Sequence, residues 1–140
     1  MEWTNTHIVI HNRMKLRIVA ADNNPIVLEK LVSILKIEFD VVKIAIDGKS
    51  SLDIILNYRP DVAVLDLEMP GLNGLEIARE LMKINPRPAI VICSVEHDLD
   101  VVDAALKAGA LGYVFKARAA RDLNMAVKSA ARGQSFVSKD

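Results

Sequence analysis

The sequence predicts an α/β protein in which helices cover both faces of a parallel sheet. Short apolar runs alternate strictly along the chain with segments whose apolar residues recur at helical spacing, five of each. Such alternation requires right-handed crossovers, which build a parallel sheet with a layer of helices on each face. The length of 140 residues and the hydrophobic content of 51% are sufficient for one domain with its own core.

Each predicted strand is a short run rich in β-branched and aliphatic residues. The clearest is the run at residues 62–65, which stops at Asp66 and is soon followed by the turn residues Pro70 and Gly71. The five predicted strands are Leu16–Ala21, Val41–Ile46, Val62–Asp66, Ala89–Cys93 and Gly112–Phe115.

The predicted helices carry apolar residues on one face and are bounded by residues that suit helix termini. Pro25 fits a first helical turn, and Gly109 and Gly133 fit the position that follows a helix. The five predicted helices are Pro25–Lys36, Ser50–Tyr58, Asn73–Ile84, Leu99–Ala108 and Ala119–Arg132.

The composition excludes some classes of function. The 18 basic residues balance the 18 acidic ones, so the chain should not bind nucleic acid through bulk charge. No apolar run approaches the roughly 20 residues of a membrane span, and no membrane partner is expected. The single cysteine, Cys93, lies within an apolar run, so we expect a buried inert thiol in a reducing, cytoplasmic environment. Residues 1–14 lack the pattern of a secretory signal and are expected to form a loosely ordered extension.

Four polar residues lie at the ends of predicted strands, and their chemistry is complementary. They are Asp22, Asp66, Ser94 and Lys116. In an open parallel sheet, ligands bind at the carboxyl ends of the strands. Carboxylates clustered there repel one another, and Mg²⁺ relieves the repulsion through oxygen ligands. An ammonium and a hydroxyl would stabilise charge on a phosphoryl group, so the pattern predicts phosphoryl transfer to an aspartate.

Each of these residues also has a simpler interpretation. Asp66 would then only cap the segment that follows it, and Ser94 would be a helix N-cap. Lys116 would extend along the surface into water. These interpretations do not explain why all four groups lie at strand ends.

Three longer motifs occur in order along the chain. They are Ala21-Asp22-Asn23-Asn24-Pro25, residues 60–74 (PDVAVLDLEMPGLNG) and residues 108–116 (AGALGYVFK). On these motifs, the chain from about Lys15 to Ser135 resembles the receiver domain of two-component response regulators. The resemblance implies a flavodoxin-like (CheY-like), doubly wound sheet of five parallel strands in the order 2-1-3-4-5, with five helices.

The resemblance also implies a role for each matching residue. Asp66 would accept the phosphoryl group, Lys116 would pair with its oxygens, and Ser94 would turn its hydroxyl towards it. Tyr113 matches the aromatic position that moves inward when the hydroxyl residue engages the phosphate. The chain would then not be an enzyme, and the reactions it promotes would be at most its own phosphorylation and its own dephosphorylation.

Mg²⁺ is the cofactor that the resemblance implies, with Asp22, Asp66 and the backbone carbonyl of Glu68 among its ligands. The family usually has a second acid after the first strand, where this sequence has Asn23. An amide oxygen is still a metal ligand, but it carries no formal charge. We therefore expect weaker Mg²⁺ binding, which the Glu68 side chain would partly offset if it points into the site.

The end of the chain narrows the resemblance. Residues 126–138 are similar to the last receiver helix and the linker of NarL/FixJ-type regulators, in which a LuxR-type helix-turn-helix domain follows. We expect a receiver domain at residues 15–134 and the start of a linker at 135–140, with the DNA-binding domain absent from this chain. The implied function is to accept phosphate from a sensor histidine kinase and to control transcription through that domain. Pairing of two receivers into a homodimer is a further expectation.

Two other functions fit parts of the sequence. A phosphorylation-independent pseudo-receiver, used only for docking, is favoured by Asn23. A phosphatase of the haloacid-dehalogenase type is favoured by Asp66-Leu67-Glu68, but those enzymes need this motif on a first strand, a second acid and a cap. Nucleotide binding has little support, because neither Gly-x-Gly-x-x-Gly nor a P-loop motif is present.

Overall fold

The structure is a computed structural model, and it describes residues 15–140. The predicted N-terminal extension at residues 1–14 lies outside the described residues. Within residues 15–140, no helix has the length and apolar character needed to cross a membrane.

The core of the fold is a parallel sheet of six strands in the order β2-β1-β3-β4-β5-β6. The strands are β1 (Arg17–Ala21), β2 (Asp40–Ala45), β3 (Val62–Leu65), β4 (Ala89–Ser94), β5 (Gly112–Phe115) and β6 (Phe136–Val137). The predicted order 2-1-3-4-5 is confirmed for the first five strands. Because the chain order reverses beside β1, the ends of β1 and β3 lie side by side at the carboxyl edge of the sheet.

The predicted strand count of five is one short. Phe136 and Val137 pair with Gly112 and Tyr113 on the outer edge of β5, in the segment expected to begin the linker. Two residues are too few to show any periodic pattern, so no local signal could reveal this strand. The edge of β5 has N–H and C=O groups that need partners, and β6 supplies them.

Five α-helices connect the strands, as predicted. They are α1 (Pro25–Leu35), α2 (Gly48–Tyr58), α3 (Gly74–Leu81), α4 (Leu99–Lys107) and α5 (Ala119–Ala131), and a 3₁₀ turn (Lys116–Arg118) precedes α5. The second helix begins two residues before the predicted Ser50, because the Asp47 carboxylate caps it by accepting the Ser50 N–H. The third ends at Leu81 rather than at the predicted Ile84.

Two apolar layers sandwich the sheet. On one face, α2, α3 and α4 pack their buried residues against the strands. On the other face, α1 and α5 do the same, and Cys93 is fully buried among them. Burial raises the pKa of the Cys93 thiol to about 12, which agrees with the predicted inert thiol.

Candidate functional site

The four predicted polar residues lie at the carboxyl ends of four neighbouring strands. Asp22 follows β1, Asp66 follows β3, Ser94 ends β4 and Lys116 follows β5. The first two are adjacent, since the Asp66 N–H donates to the Ala21 carbonyl at 3.0 Å. Asp22, Asp66 and Ser94 are 0%, 5% and 3% exposed, so these polar groups lie within the folded domain and not on its surface.

Lys116 joins the two acids into one cluster. Its Nζ lies 2.7 Å from Asp22 Oδ2 and 3.2 Å from Asp66 Oδ1. The lysine side chain is only 15% exposed, so the interpretation of a lysine extending into water is wrong. Two carboxylates share one ammonium, and the cluster therefore holds one negative charge in excess.

The ionisation of the cluster follows from burial and from this charge imbalance. Burial and then the neighbouring Asp22 charge raise the pKa of Asp66, although Lys116 pulls it down. For Lys116, burial acts to lower the pKa, but the hydrogen bond to Asp22 and the charges of Asp66 and Asp22 outweigh it, so the pKa is raised. Lys116 is thus held as a cation beside a carboxylate that is harder to ionise than an exposed one.

Asp22 offers an oxygen suited to a metal ion. Its Oδ1 accepts the Asn24 N–H at 2.9 Å, whereas the buried Oδ2 has no polar partner among residues 15–140 apart from Lys116. A buried carboxylate oxygen short of partners, next to Asp66, fits the oxygen ligands that Mg²⁺ prefers.

Within residues 15–140, the acidic side chains placed to bind such an ion are those of Asp22 and Asp66. Among the residues that the structure describes, no three His, Cys, Asp or Glu side chains come close enough together to hold a metal ion. Glu68 is exposed and does not complete a third position, and Asn23 is also exposed. The Asp22 and Asp66 oxygens fit Mg²⁺, but they supply less negative charge than a site with three acids would.

Ser94 and Tyr113 are linked through the backbone of Glu96, a residue that no sequence motif indicated. The Ser94 hydroxyl accepts the Glu96 N–H at 3.0 Å, and the Tyr113 hydroxyl donates to the Glu96 carbonyl at 2.8 Å. Tyr113 is 0% exposed, so its ring already lies inward in this structure. Backbone atoms make this link, and side-chain patterns in the sequence carry no signal for it.

A close approach by Gly74 fixes the backbone next to Asp66. A Cβ atom at Gly74 would lie 2.5 Å from the Asp66 carbonyl oxygen, so only glycine allows α3 to begin there. A capping box stabilises the start of the same helix. The Asn73 side chain accepts the Glu76 N–H, and the Glu76 side chain accepts the Asn73 N–H. The loop that carries Asp66 is therefore anchored at the start of α3.

With this fold and site established, the chain belongs to the response regulator receiver domain family, whose model matches residues 18–128. Receiver domains are in general signalling modules that bind Mg²⁺ at the phosphorylation site and interact with histidine kinases. The predicted family is thus confirmed.

Individual relatives agree with this membership. The chain is 34% identical over 128 residues to the transcriptional regulatory protein DegU of Brevibacillus brevis, covering 90% of this chain and 54% of DegU. Its structure is similar to the signal receiver domain of NarL from Mycobacterium tuberculosis (TM-score 0.82, 31% identity, 86% of this chain and 98% of that one). The structure of a LuxR-family response regulator from an Aurantimonas strain is also similar, with a TM-score of 0.84 and 28% identity; the match covers 90% of this chain and 91% of that one. The predicted likeness to NarL/FixJ-type regulators is confirmed, and the chain spans about half the length of DegU.

Substituting Asp66→Asn should raise the free energy of unfolding at pH 7, because it removes a buried charge that the fold disfavours. The pKa of Asp66 is raised in the folded state above its ordinary value of 3.8. The contribution of this carboxyl to the free energy of unfolding is therefore fully favourable below pH 3.8, and it is lost as the pH rises through the folded-state pKa. We expect a gain on the order of 0.5–2 kcal/mol in urea unfolding at pH 7, shrinking as the pH is lowered towards 3.8. Asp53→Asn, at an exposed position of α2, is the matched control. A variant that is less stable than the wild type at pH 7 would contradict this interpretation.

Proposed function

We propose that this chain is a phosphoacceptor that receives a phosphoryl group from a sensor histidine kinase on Asp66. The observation that carries the proposal is the buried cluster in which Lys116 contacts both Asp66 and Asp22. An Asp66 oxygen would bond to phosphorus as the bond from phosphorus to the donor histidine breaks. The electron pair of that bond leaves on the imidazole nitrogen, and an acyl phosphate remains on Asp66.

Lys116 would act twice in this reaction. Ahead of the transfer, its charge lowers the pKa of Asp66 and so opposes the effect of burial, which disfavours the ionised carboxylate. After transfer, the same ammonium is placed to pair with the phosphoryl oxygens, where negative charge accumulates. The side chains of Asp22, Asn23 and Asp66 and the Glu68 carbonyl would hold Mg²⁺, which supplies further neutralisation of phosphoryl charge when bound.

The output step would run through the turn after β4. If the Ser94 hydroxyl rotates to the phosphoryl group, it releases the Glu96 N–H, and Glu96 is also the residue that holds the Tyr113 hydroxyl. The turn, α4 and β5 would then change together. We expect this change to control transcription through a DNA-binding domain that lies beyond a linker. In support, DegU is a transcriptional regulatory protein about twice as long as this chain. A cytoplasmic homodimer is the form in which we expect it to act.

The phosphoacceptor assignment predicts that acetyl phosphate with Mg²⁺ adds one phosphoryl group to the wild type and none to Asp66→Asn. Intact-mass spectrometry measures the addition directly. Asp53→Asn, the same substitution at an exposed position, should be labelled like the wild type. Equal labelling of the wild type and Asp66→Asn would refute the assignment, and failure of the wild type to label with any phosphodonor or kinase would favour the pseudo-receiver.

The charge deficit of the metal site predicts that Asn23→Asp binds Mg²⁺ more tightly than the wild type. A charged ligand in place of a neutral one is typically worth about 1.5–3 kcal/mol, or roughly 10- to 100-fold in affinity. Calorimetry at fixed ionic strength would measure it. Asn57→Asp adds the same charge at the far, exposed end of α2 and should change little. Equal affinity of Asn23→Asp and wild type would mean that water already supplies the missing ligand.

The role of Ser94 predicts that Ser94→Ala still accepts phosphate on Asp66 but responds to it weakly. Loss of a hydrogen bond to a charged group should remove about 1.5–3 kcal/mol from the coupling between phosphorylation and dimerisation. Analytical ultracentrifugation with and without phosphodonor measures this coupling, and Ser94→Thr should retain it because the hydroxyl is kept. If Ser94→Ala dimerises on phosphorylation as the wild type does, the coupling does not pass through this hydroxyl.

A further inference from the structure

Ser138, the residue that follows β6, is almost completely buried, and both its backbone N–H and its hydroxyl have hydrogen-bond partners. Its backbone N–H donates to the Tyr113 carbonyl at 2.9 Å, which continues the pairing of β6 with β5. Its hydroxyl donates to Asp122 Oδ2 at 2.8 Å and accepts the Phe115 N–H at 3.1 Å. The serine is 4% exposed, although it lies in a segment that the sequence identified only as a linker.

Asp122, on the first turns of α5, receives a second donor at the same oxygen. Arg118 Nε lies 3.3 Å from Asp122 Oδ2, and Asp122 is 6% exposed. Phe115 directly precedes Lys116, and Arg118 lies two residues after it, in the 3₁₀ turn Lys116–Arg118. Asp122 Oδ2 is therefore linked to the chain on both sides of Lys116. One link runs through the Ser138 hydroxyl to the Phe115 N–H, and the other runs directly to the Arg118 side chain.

We infer that Ser138 and Asp122 are positioning residues for Lys116. In this role, the short C-terminal strand β6 and the residue after it fix the backbone from which Lys116 extends to the phosphorylation site. This inference rests on the proposed function of Lys116. A lysine side chain is long and flexible, so the 2.7 Å and 3.2 Å contacts of its ammonium depend on where the backbone starts. A misplacement of about 1 Å can cost as much as 100-fold in a reaction that depends on orientation.

A second contact, made by the side chain of His97, involves the same residue of β5. The His97 ring stacks on Phe115 with centroids 3.8 Å apart, and its Nδ1 lies 2.7 Å from Asp140 Oδ1. The chain after β6 thus contacts the segment before Lys116 at two points, Ser138 from within and Asp140 through His97. Ser138 is the stronger point, because it is buried and removal of its hydroxyl leaves the Phe115 N–H without a partner.

The first test measures the position of Lys116 without phosphate or metal. The full chain and its Ser138→Ala variant are given a short pulse of an amine-acetylating reagent, and each lysine is followed by peptide mass spectrometry. Loss of one buried hydrogen bond should make Lys116 react faster by on the order of tenfold, while the exposed Lys49 and Lys139 react unchanged. Ser135→Ala, the same substitution three residues earlier at an exposed position, should match the wild type.

The second test asks whether Ser138 acts through Lys116. Phosphorylation by acetyl phosphate should slow by on the order of tenfold in Ser138→Ala, and this effect should disappear in a Lys116→Ala background. A residue with a merely structural role would slow both backgrounds equally, and that result would overturn the inference. If Ser138→Ala fails to fold, the pair Ser138→Thr and Ser138→Val separates the hydroxyl from the shape of the side chain.

The outcomes separate the inference from the proposed function. Unchanged Lys116 acetylation in Ser138→Ala, or equal behaviour of the Thr and Val variants, overturns the positioning role even if the wild type takes phosphate normally. A wild type that takes no phosphate overturns the proposed function, while the acetylation result still decides whether Ser138 positions Lys116.

Discussion

The candidate site depends on how one ammonium, that of Lys116, is shared between two buried carboxylates. Asp22 and Asp66 lie side by side because β1 and β3 are neighbours, and burial removes the water that would screen their repulsion. Lys116 reaches both from the end of β5, two places along the sheet from β3. Burial, and then the Asp22 charge, raise the pKa of Asp66, and the remaining negative charge favours any cation or charge-accepting group that joins the cluster.

The rest of the architecture holds these three groups in place. Gly74 lets α3 start against the Asp66 carbonyl, and the Asn24 N–H fixes one oxygen of Asp22. The backbone around Lys116 is tied to Asp122 through Ser138 and Arg118. Interactions from the loop after β3, the start of α1 and the C-terminal strand thus converge on one small site. Such rigid support suits a site whose chemistry depends on position more than on any single strong group.

The sequence predicts those features that repeat along it. Each apolar run ends at a polar residue, and this repeated pattern is sufficient to bring Asp22, Asp66, Ser94 and Lys116 to one edge of the sheet. Features that rest on single backbone contacts could not be predicted, among them the Glu96 link between Ser94 and Tyr113. The two residues of β6 are too short for a pattern, and the burial of Ser138 depends on neighbours across the sheet that are distant along the chain.

The most direct measurement of the charge cluster is the titration of the Asp66 carboxyl carbon by NMR, in the wild type and in Lys116→Met. We expect an apparent pKa for Asp66 above the ordinary value of 3.8, because of burial and the Asp22 charge. Removal of the attractive charge of Lys116 should raise that pKa further. An Asp66 that titrates at or below the ordinary value, or whose pKa is unmoved or lowered by Lys116→Met, would show that the three groups do not form a coupled charge cluster.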